Sequence, residues 1–138
     1  MRVIILGCGR TGSAIASSLA AEGDRVMVID KVIRQFDRLP PSVVDEGAIG
    51  VVHGDGTLSN ILLRAEVEDA DLFIALTGHD TINAMAAQKV KQVYEVDQVI
   101  MRVRDPSLAE LYTALGLSVY CPTEAAVSHI IESISREG

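Results

Sequence analysis

A glycine-rich hexapeptide, Gly7-Cys8-Gly9-Arg10-Thr11-Gly12, follows the apolar run Val3-Ile4-Ile5-Leu6 directly and opens a stretch rich in Ala, Ser and Leu. A chain that passes from a strand-like run into a helical one through GxGxxG has few ways to fold. Gly7 permits a tight turn, Gly9 leaves the backbone open to a pyrophosphate, and Gly12 lets the helix lie close against the strand. The helix N-terminus then offers free N–H groups and partial positive charge to phosphate. Arg10 and Thr11 fall in that first turn, where both side chains can contact the same phosphates. Glycines at this spacing also suit a tight turn that holds no ligand; the strand before and the helix after favour the phosphate reading.

The alternation continues to the end of the chain. Strand patterns occupy residues 2–6, 25–29, 49–52, 71–76, 99–103 and 118–120. Helical patterns cover about 10–22, 32–39, 57–65 and 81–92, with two more opening at Pro106 and Pro122, the last running to the C-terminus. Gly23 is placed to end the first helix, and Pro40 and Pro41 to stop the second. Thr57 and Asp80 are expected as helix N-caps. Strands alternating with helices of this length predict βαβ units, a parallel sheet and right-handed crossovers. Six strands with a glycine-rich first turn predict a doubly wound α/β sheet of order 3-2-1-4-5-6, helices on both faces; the flavodoxin-like order is the competing arrangement. The chain, residues 1–138, reads as a single domain.

Composition narrows the partners. Only 4% of the residues are aromatic, so the core is expected to be Val, Ile, Leu and Ala. The net charge of −7 argues against nucleic acid and against an electrostatic membrane anchor. No apolar run approaches the roughly 20 residues that span a bilayer. The first residues, MRVIIL, are too short for a signal peptide. Cys8 and Cys121 have no CxxC spacing, which fits a reduced, cytoplasmic setting.

In an open α/β sheet the ligand sits beyond the carboxyl ends of the strands. Asp30, 18 residues past Gly12, stands where a carboxylate accepts hydrogen bonds from ribose hydroxyls and repels a 2′-phosphate. Lys31 and Arg34 beside it weaken that exclusion. Asp55, in His53-Gly54-Asp55-Gly56-Thr57, suits an adenine amino group, or with Thr57 simply caps the next helix. Thr77 and His79, with Asn83 beyond, face the second half of a dinucleotide, although His79 also reads as a plain loop residue. Arg102 and Arg104 are placed to reach a phosphate or a partner chain. No catalytic or metal-binding constellation emerges: Cys8 has no evident histidine base, and His53, His79 and His129 lack ligand spacing.

On the pieces Val3 to Gly12, Val28-Ile29-Asp30-Lys31, Gly54-Asp55-Gly56-Thr57, Ala70 to Thr77 with Asp80 and Asn83, and Met101-Arg102-Val103 with Gly116 and Pro122-Thr123-Glu124, the whole chain resembles the RCK/KTN (TrkA-N) domain. That domain is the nucleotide-binding regulatory module of Trk- and Ktr-type potassium-uptake systems. The resemblance implies binding of NAD(H), or of ATP/ADP. It places Gly7, Gly9, Arg10 and Gly12 at the phosphates, Asp30 at the ribose, Asp55 at the adenine, Thr77 at the far end and Arg102 as a further contact, with Cys8, Thr11, Lys31 and Gly56 among the cofactor-binding candidates. It also implies a homodimer that assembles into a cytoplasmic ring beneath a membrane-embedded potassium channel or transporter. Dimer contacts would fall on the sixth strand and last helix, around Ile130, Ile131 and Ile134, whose helical spacing equally suits an intramolecular core face. Many members continue into a second, C-terminal ligand-binding domain, expected to be absent from a chain that stops at Gly138. The cofactor-binding half of an NAD-dependent oxidoreductase is the alternative.

Overall fold

The computed structural model describes residues 1–136. Strand β1 (Arg2–Leu6) is buried from Val3 to Leu6, so both of its faces are covered, as befits a central strand. On one side of it lie β2 (Arg25–Asp30) and β3 (Ile49–His53); on the other lie β4 (Leu72–Ala75), β5 (Gln98–Arg102) and β6 (Ser118–Tyr120). The order is β3-β2-β1-β4-β5-β6 and every pairing is parallel. This is the doubly wound arrangement expected from the alternation of strands and helices.

Side-chain alternation along the strands feeds two cores. Val3, Ile5, Val26, Val28 and Ile74 pack with Ala16 and Leu19 of α1 (Arg10–Ala21) and with Leu39. Ile4, Leu6, Ile29, Phe73 and Met101 pack with Leu62 of α3 (Ser59–Arg64) and with Ala84, Ala87 and Val90 of α4 (Asp80–Gln92). The short α2 (Pro41–Asp45) precedes β3, α5 (Pro106–Ala114) precedes β6, and α6 (Pro122–Ser133) follows it.

Several local expectations are corrected. Residues 32–39 form a 3-10 helix (Ile33–Arg38), and Pro41 starts α2 instead of stopping a helix, since a fixed φ and a missing N–H suit a first turn. Thr57 does not cap α3. Its N–H and hydroxyl both donate to the Asp55 carboxylate in a tight turn, and Leu58 takes the capping position. Asp80 is the first residue of α4, not its cap; its carboxylate instead accepts the N–H groups of Arg104 and Asp105. The core reading of the α6 isoleucines is overturned. No residue of α6 is buried, and Ile130, Ile131 and Ile134 are 61%, 53% and 48% exposed.

The turn from β1 to α1 sets the geometry that follows. Gly7 has φ +109°, which favours glycine, and any side chain there would press on the Leu76 carbonyl, 3.0 Å away. A Cβ on Gly12 would collide with the Gly7 carbonyl oxygen, so α1 lies against the end of β1 only because residue 12 has none. Gly12→Ala is therefore expected to lower the unfolding free energy by about 2–4 kcal/mol in urea titrations, whereas Gly9→Ala should cost less than about 1 kcal/mol. A Gly12→Ala variant as stable as the wild type would contradict the close packing of α1 on β1.

Candidate functional site

The carboxyl ends of β1 to β5 open onto one crevice of about 420 Å³. Its walls carry Gly7 and Gly9 in the centre, Asp30, Lys31, Asp55 and Gly56 toward β3, and Thr77, Gly78, His79, Arg102 and Arg104 toward β5. The split between β1 and β4, where successive crossovers run in opposite directions, is where such sheets bind ligands.

Gly9 supplies the clearest sign of a ligand surface. A Cβ built on it meets nothing within 4 Å, so its backbone faces open space where a phosphate can approach. The peptide N–H of Cys8 donates to Asp30 Oδ2 at 2.8 Å, and Val32 N–H donates to Oδ1 at 2.8 Å. Asp30 thus anchors the glycine loop to β2. Each carboxylate oxygen has a second lone pair with which to accept a hydroxyl. At the end of β3, bonds from Thr57 hold the Asp55 carboxyl below the usual carboxylate range, and Lys31 and Lys89 add to the effect. Lys89 Nζ also donates to the Thr57 carbonyl at 2.9 Å, tying this loop to α4.

The β4 end is fixed by Asn83, which is fully buried. Its Oδ1 accepts the N–H and the hydroxyl of Thr77 at 2.9 and 2.7 Å; its Nδ2 donates to the carbonyls of Thr77 and Arg102 at 3.1 and 3.0 Å. With its amide spent inside the protein, Asn83 does not face a ligand as expected but positions Thr77, which does line the crevice. The Arg102 Nη2 donates to the Leu76 and Thr77 carbonyls, while its Nε is buried without a partner. Burial and the neighbouring Arg104 push the Arg102 pKa down.

Of the residues expected at the site, Gly7, Gly9, Asp30, Lys31, Asp55, Gly56, Thr77, His79, Arg102 and Arg104 meet at the crevice. Cys8, Arg10, Thr11 and Gly12 do not line it. The Cys8 side chain is fully buried in the core and Gly12 is packed beneath the loop, while the Arg10 and Thr11 side chains are exposed on the first turn of α1. Val32, Gln35 and Ile82 complete the walls and were missed. Ile82 carries only an ordinary helix pattern, and Gln35 sits on the short helix read at 32–39 with nothing in its sequence to mark it as facing the crevice.

The model of the TrkA-N domain matches residues 3–122. The chain belongs to the TrkA-N domain family. Over 136 residues, 99% of its length, it is 35% identical to the Trk system potassium uptake protein TrkA of Streptomyces coelicolor, and spans 57% of that protein. It thus covers little more than half of that relative. Among solved structures it resembles the TrkA-N domain of inner membrane protein ybaL from Escherichia coli, with TM-score 0.84 and 18% identity over 97% of this chain and 96% of that one. It also resembles the GsuK channel bound to NAD, with TM-score 0.69 and 22% identity over 88% of this chain and 21% of that one. GsuK bound to ADP matches with the same TM-score and identity, over 87% and 31%. At these identities the likeness shows the fold.

The placement of Cys8 has a measurable consequence. Burial, reinforced by Asp30, pushes its thiol up to about 11. A thiol raised in the folded state stabilises it fully below the ordinary thiol pKa of about 8.5, and that contribution is lost as pH climbs toward 11. Peptide mapping after alkylation at pH 8 should find Cys8 unlabelled in the native protein and labelled in urea. Cys8→Ala should flatten the fall in stability between about pH 8.5 and 11. Rapid native labelling would place the thiol in the crevice and contradict its burial.

Proposed function

We propose that the chain is a nucleotide-binding regulatory domain whose ligand, an adenine nucleotide such as NAD(H) or ATP/ADP, biases the gate of a membrane-embedded potassium-uptake system. The observation that carries this reading is the open backbone of Gly9 flanked by the Asp30 and Asp55 carboxylates, on one crevice at the switch point of the sheet. Backbone N–H groups there suit a diphosphate, and the carboxylates suit ribose hydroxyls and an adenine amino group. The potassium-uptake relative and the NAD- and ADP-bound channel structures support the same reading.

The role proposed is regulation, not catalysis. Cys8, the nucleophile nearest the phosphate loop, is sealed in the core with its thiol protonated. A nucleotide shifts a two-state assembly only through its differential affinity for the two states. Moving such an equilibrium from 1:99 to 99:1 takes about 5.5 kcal/mol, which several coupled sites supply in shares of about 1–3 kcal/mol. That arithmetic favours an oligomeric ring on the cytoplasmic face of the membrane. Among the described residues no helix is long and apolar enough to cross a membrane.

Calorimetric titration with NAD+, NADH, ATP and ADP tests the ligand. At least one should bind, and Gly9→Val, which fills the crevice from an unstrained backbone position, should weaken it by about tenfold or more. Asp30→Ala should weaken it similarly, with some loss of stability because two N–H groups lose their acceptor. If none of the four binds, the nucleotide reading fails.

The homodimer is proposed to form through α6 and the residue that follows it, where Val127, Ile130, Ile131 and Ile134 are each about half exposed. An amphipathic helix with no buried face of its own gains most by covering that face with a second copy. Sedimentation equilibrium should show a dimer that Ile130→Glu with Ile134→Glu converts to folded monomer. A wild-type monomer at the highest concentrations would exclude this interface.

A further inference from the structure

The loop after β3 is held from below, from within and from a neighbouring helix. A Cβ on Gly54 would run into the Ile61 side chain and one on Gly56 into that of Leu6, so the Gly54-Asp55-Gly56 backbone is seated on the apolar core. Within the loop, Asp55 Oδ1 accepts both the N–H and the hydroxyl of Thr57, at 2.9 and 2.7 Å. Asp55 lines the crevice, and its Oδ2 is left without a donor among the described residues. The outer hold comes from α4. Lys89, in the last turn of that helix, donates from Nζ to the Thr57 carbonyl at 2.9 Å, across 32 residues of sequence. Lys89 is half-buried, makes no ion pair among the described residues and takes no part in the crevice walls. It therefore stands behind the turn and does not meet a ligand. The Thr57 bonds first, and then the charges of Lys31 and Lys89, keep the Asp55 carboxyl ionised.

We propose that Lys89 is a positioning residue for base recognition: by holding the Thr57 carbonyl it fixes the turn that aims the free Asp55 oxygen at the 6-amino group of an adenine. This rests on the nucleotide reading above. A carboxylate selects a base by an N–H only where its own position is fixed. A loop free to retreat gives up that bond at little cost, and one that must be ordered on binding spends affinity to do so. The side-chain hydrogen bonds here lead from the carboxylate to Thr57 and from Thr57 to Lys89. Selectivity for the base thus depends on a lysine that never touches it. Arginine at this position keeps the charge and a donor, whereas methionine keeps only the apolar stem.

The test is calorimetry on the full chain with AMP and with purine riboside 5′-monophosphate, which lacks only the 6-amino group. The wild type should bind AMP about tenfold or more tightly, because the analogue leaves the Asp55 oxygen unpaired. Lys89→Met should bring the two affinities to within about twofold of each other, and Lys89→Arg should retain most of the preference. Should Lys89→Met not fold, Lys89→Gln, neutral and too short to reach the carbonyl, carries the same expectation. Thermal melting accompanies each variant. A lysine that only stabilises the fold would lower the melting temperature and weaken both ligands alike, leaving their ratio intact. A ratio unmoved by the loss of Lys89, or both ligands lost together, would overturn the positioning role. A wild type that binds both ligands equally would overturn adenine recognition by Asp55, and the role of Lys89 with it. Failure of both to bind would overturn the nucleotide reading itself.

Discussion

The contact between the Gly7 carbonyl and Gly12 fixes where α1 begins relative to β1, and the rest of the crevice is arranged around it. Because residue 12 has no side chain, the first turn of α1 comes down onto the end of the central strand. The Gly7 N–H donates to the Ile29 carbonyl at 2.8 Å, so the loop is held to β2 before any side chain contributes. Asp30 then adds a second tether through the Cys8 N–H. A larger residue at 12 would tilt the helix away and leave its free N–H groups aimed elsewhere, whatever the neighbouring side chains. The phosphate loop is therefore a product of backbone packing first and of side-chain chemistry second.

Helix α4 plays the corresponding part on the other side of the sheet. Lys89 holds the β3–α3 loop, Asn83 holds the β4–α4 loop, and Asp80 holds the loop after β5. Asn83 is the most demanding of the three, because a fully buried amide is tolerated only when its donors and acceptor are satisfied, and here they are. Replacing it with an apolar residue would strand the Thr77 N–H and the Arg102 carbonyl, each at a cost of about 1–3 kcal/mol, and leave the Thr77 carbonyl to Arg102 alone. One helix thus fixes three of the loops that form or frame the crevice. A displacement of any one loop is felt by the others through α4.

The sheet order and the ten crevice residues named in advance were legible because each rests on a backbone requirement or a strand-end position. Glycines between an apolar strand and a helix leave one plausible turn, and Asp30 follows from the length of one βαβ unit. The errors lie where side chains have two local options. Asp80 and Thr57 both look like caps, yet Asp80 spends its carboxylate on the loop after β5, 24 residues away, and Thr57 bonds back to Asp55 in its own turn. Asn83 reads as a ligand contact because it stands in the first turn of α4, six residues past Thr77, but that position equally lets its amide turn inward. Arg10 and Thr11 fit a phosphate motif by position, although their side chains lie outside the crevice walls. The isoleucines of α6 repeat like a core face, and only the absence of packing partners in the fold separates a core helix from an exposed one.

The same architecture explains how a ligand on the crevice would be felt at α6. The crevice draws on strands from both halves of the sheet, so a ligand lying across it would bridge loops that are otherwise tied together through α4. Its β5 wall is Arg102, whose carbonyl is held by Asn83 and whose register partner on β6 is Tyr120. The Tyr120 carbonyl accepts the Val103 N–H at 2.9 Å, and α6 begins two residues later at Pro122. From the crevice to the base of the exposed helix there are thus two hydrogen bonds, from Asn83 to the Arg102 carbonyl and from Val103 to the Tyr120 carbonyl, the second onto a short edge strand with little buried surface. Edge elements of this kind open at lower free energy than the central strands. A ligand that repositions the Thr77 and Arg102 loops would therefore act where the fold resists least, next to α6, which has no buried residue.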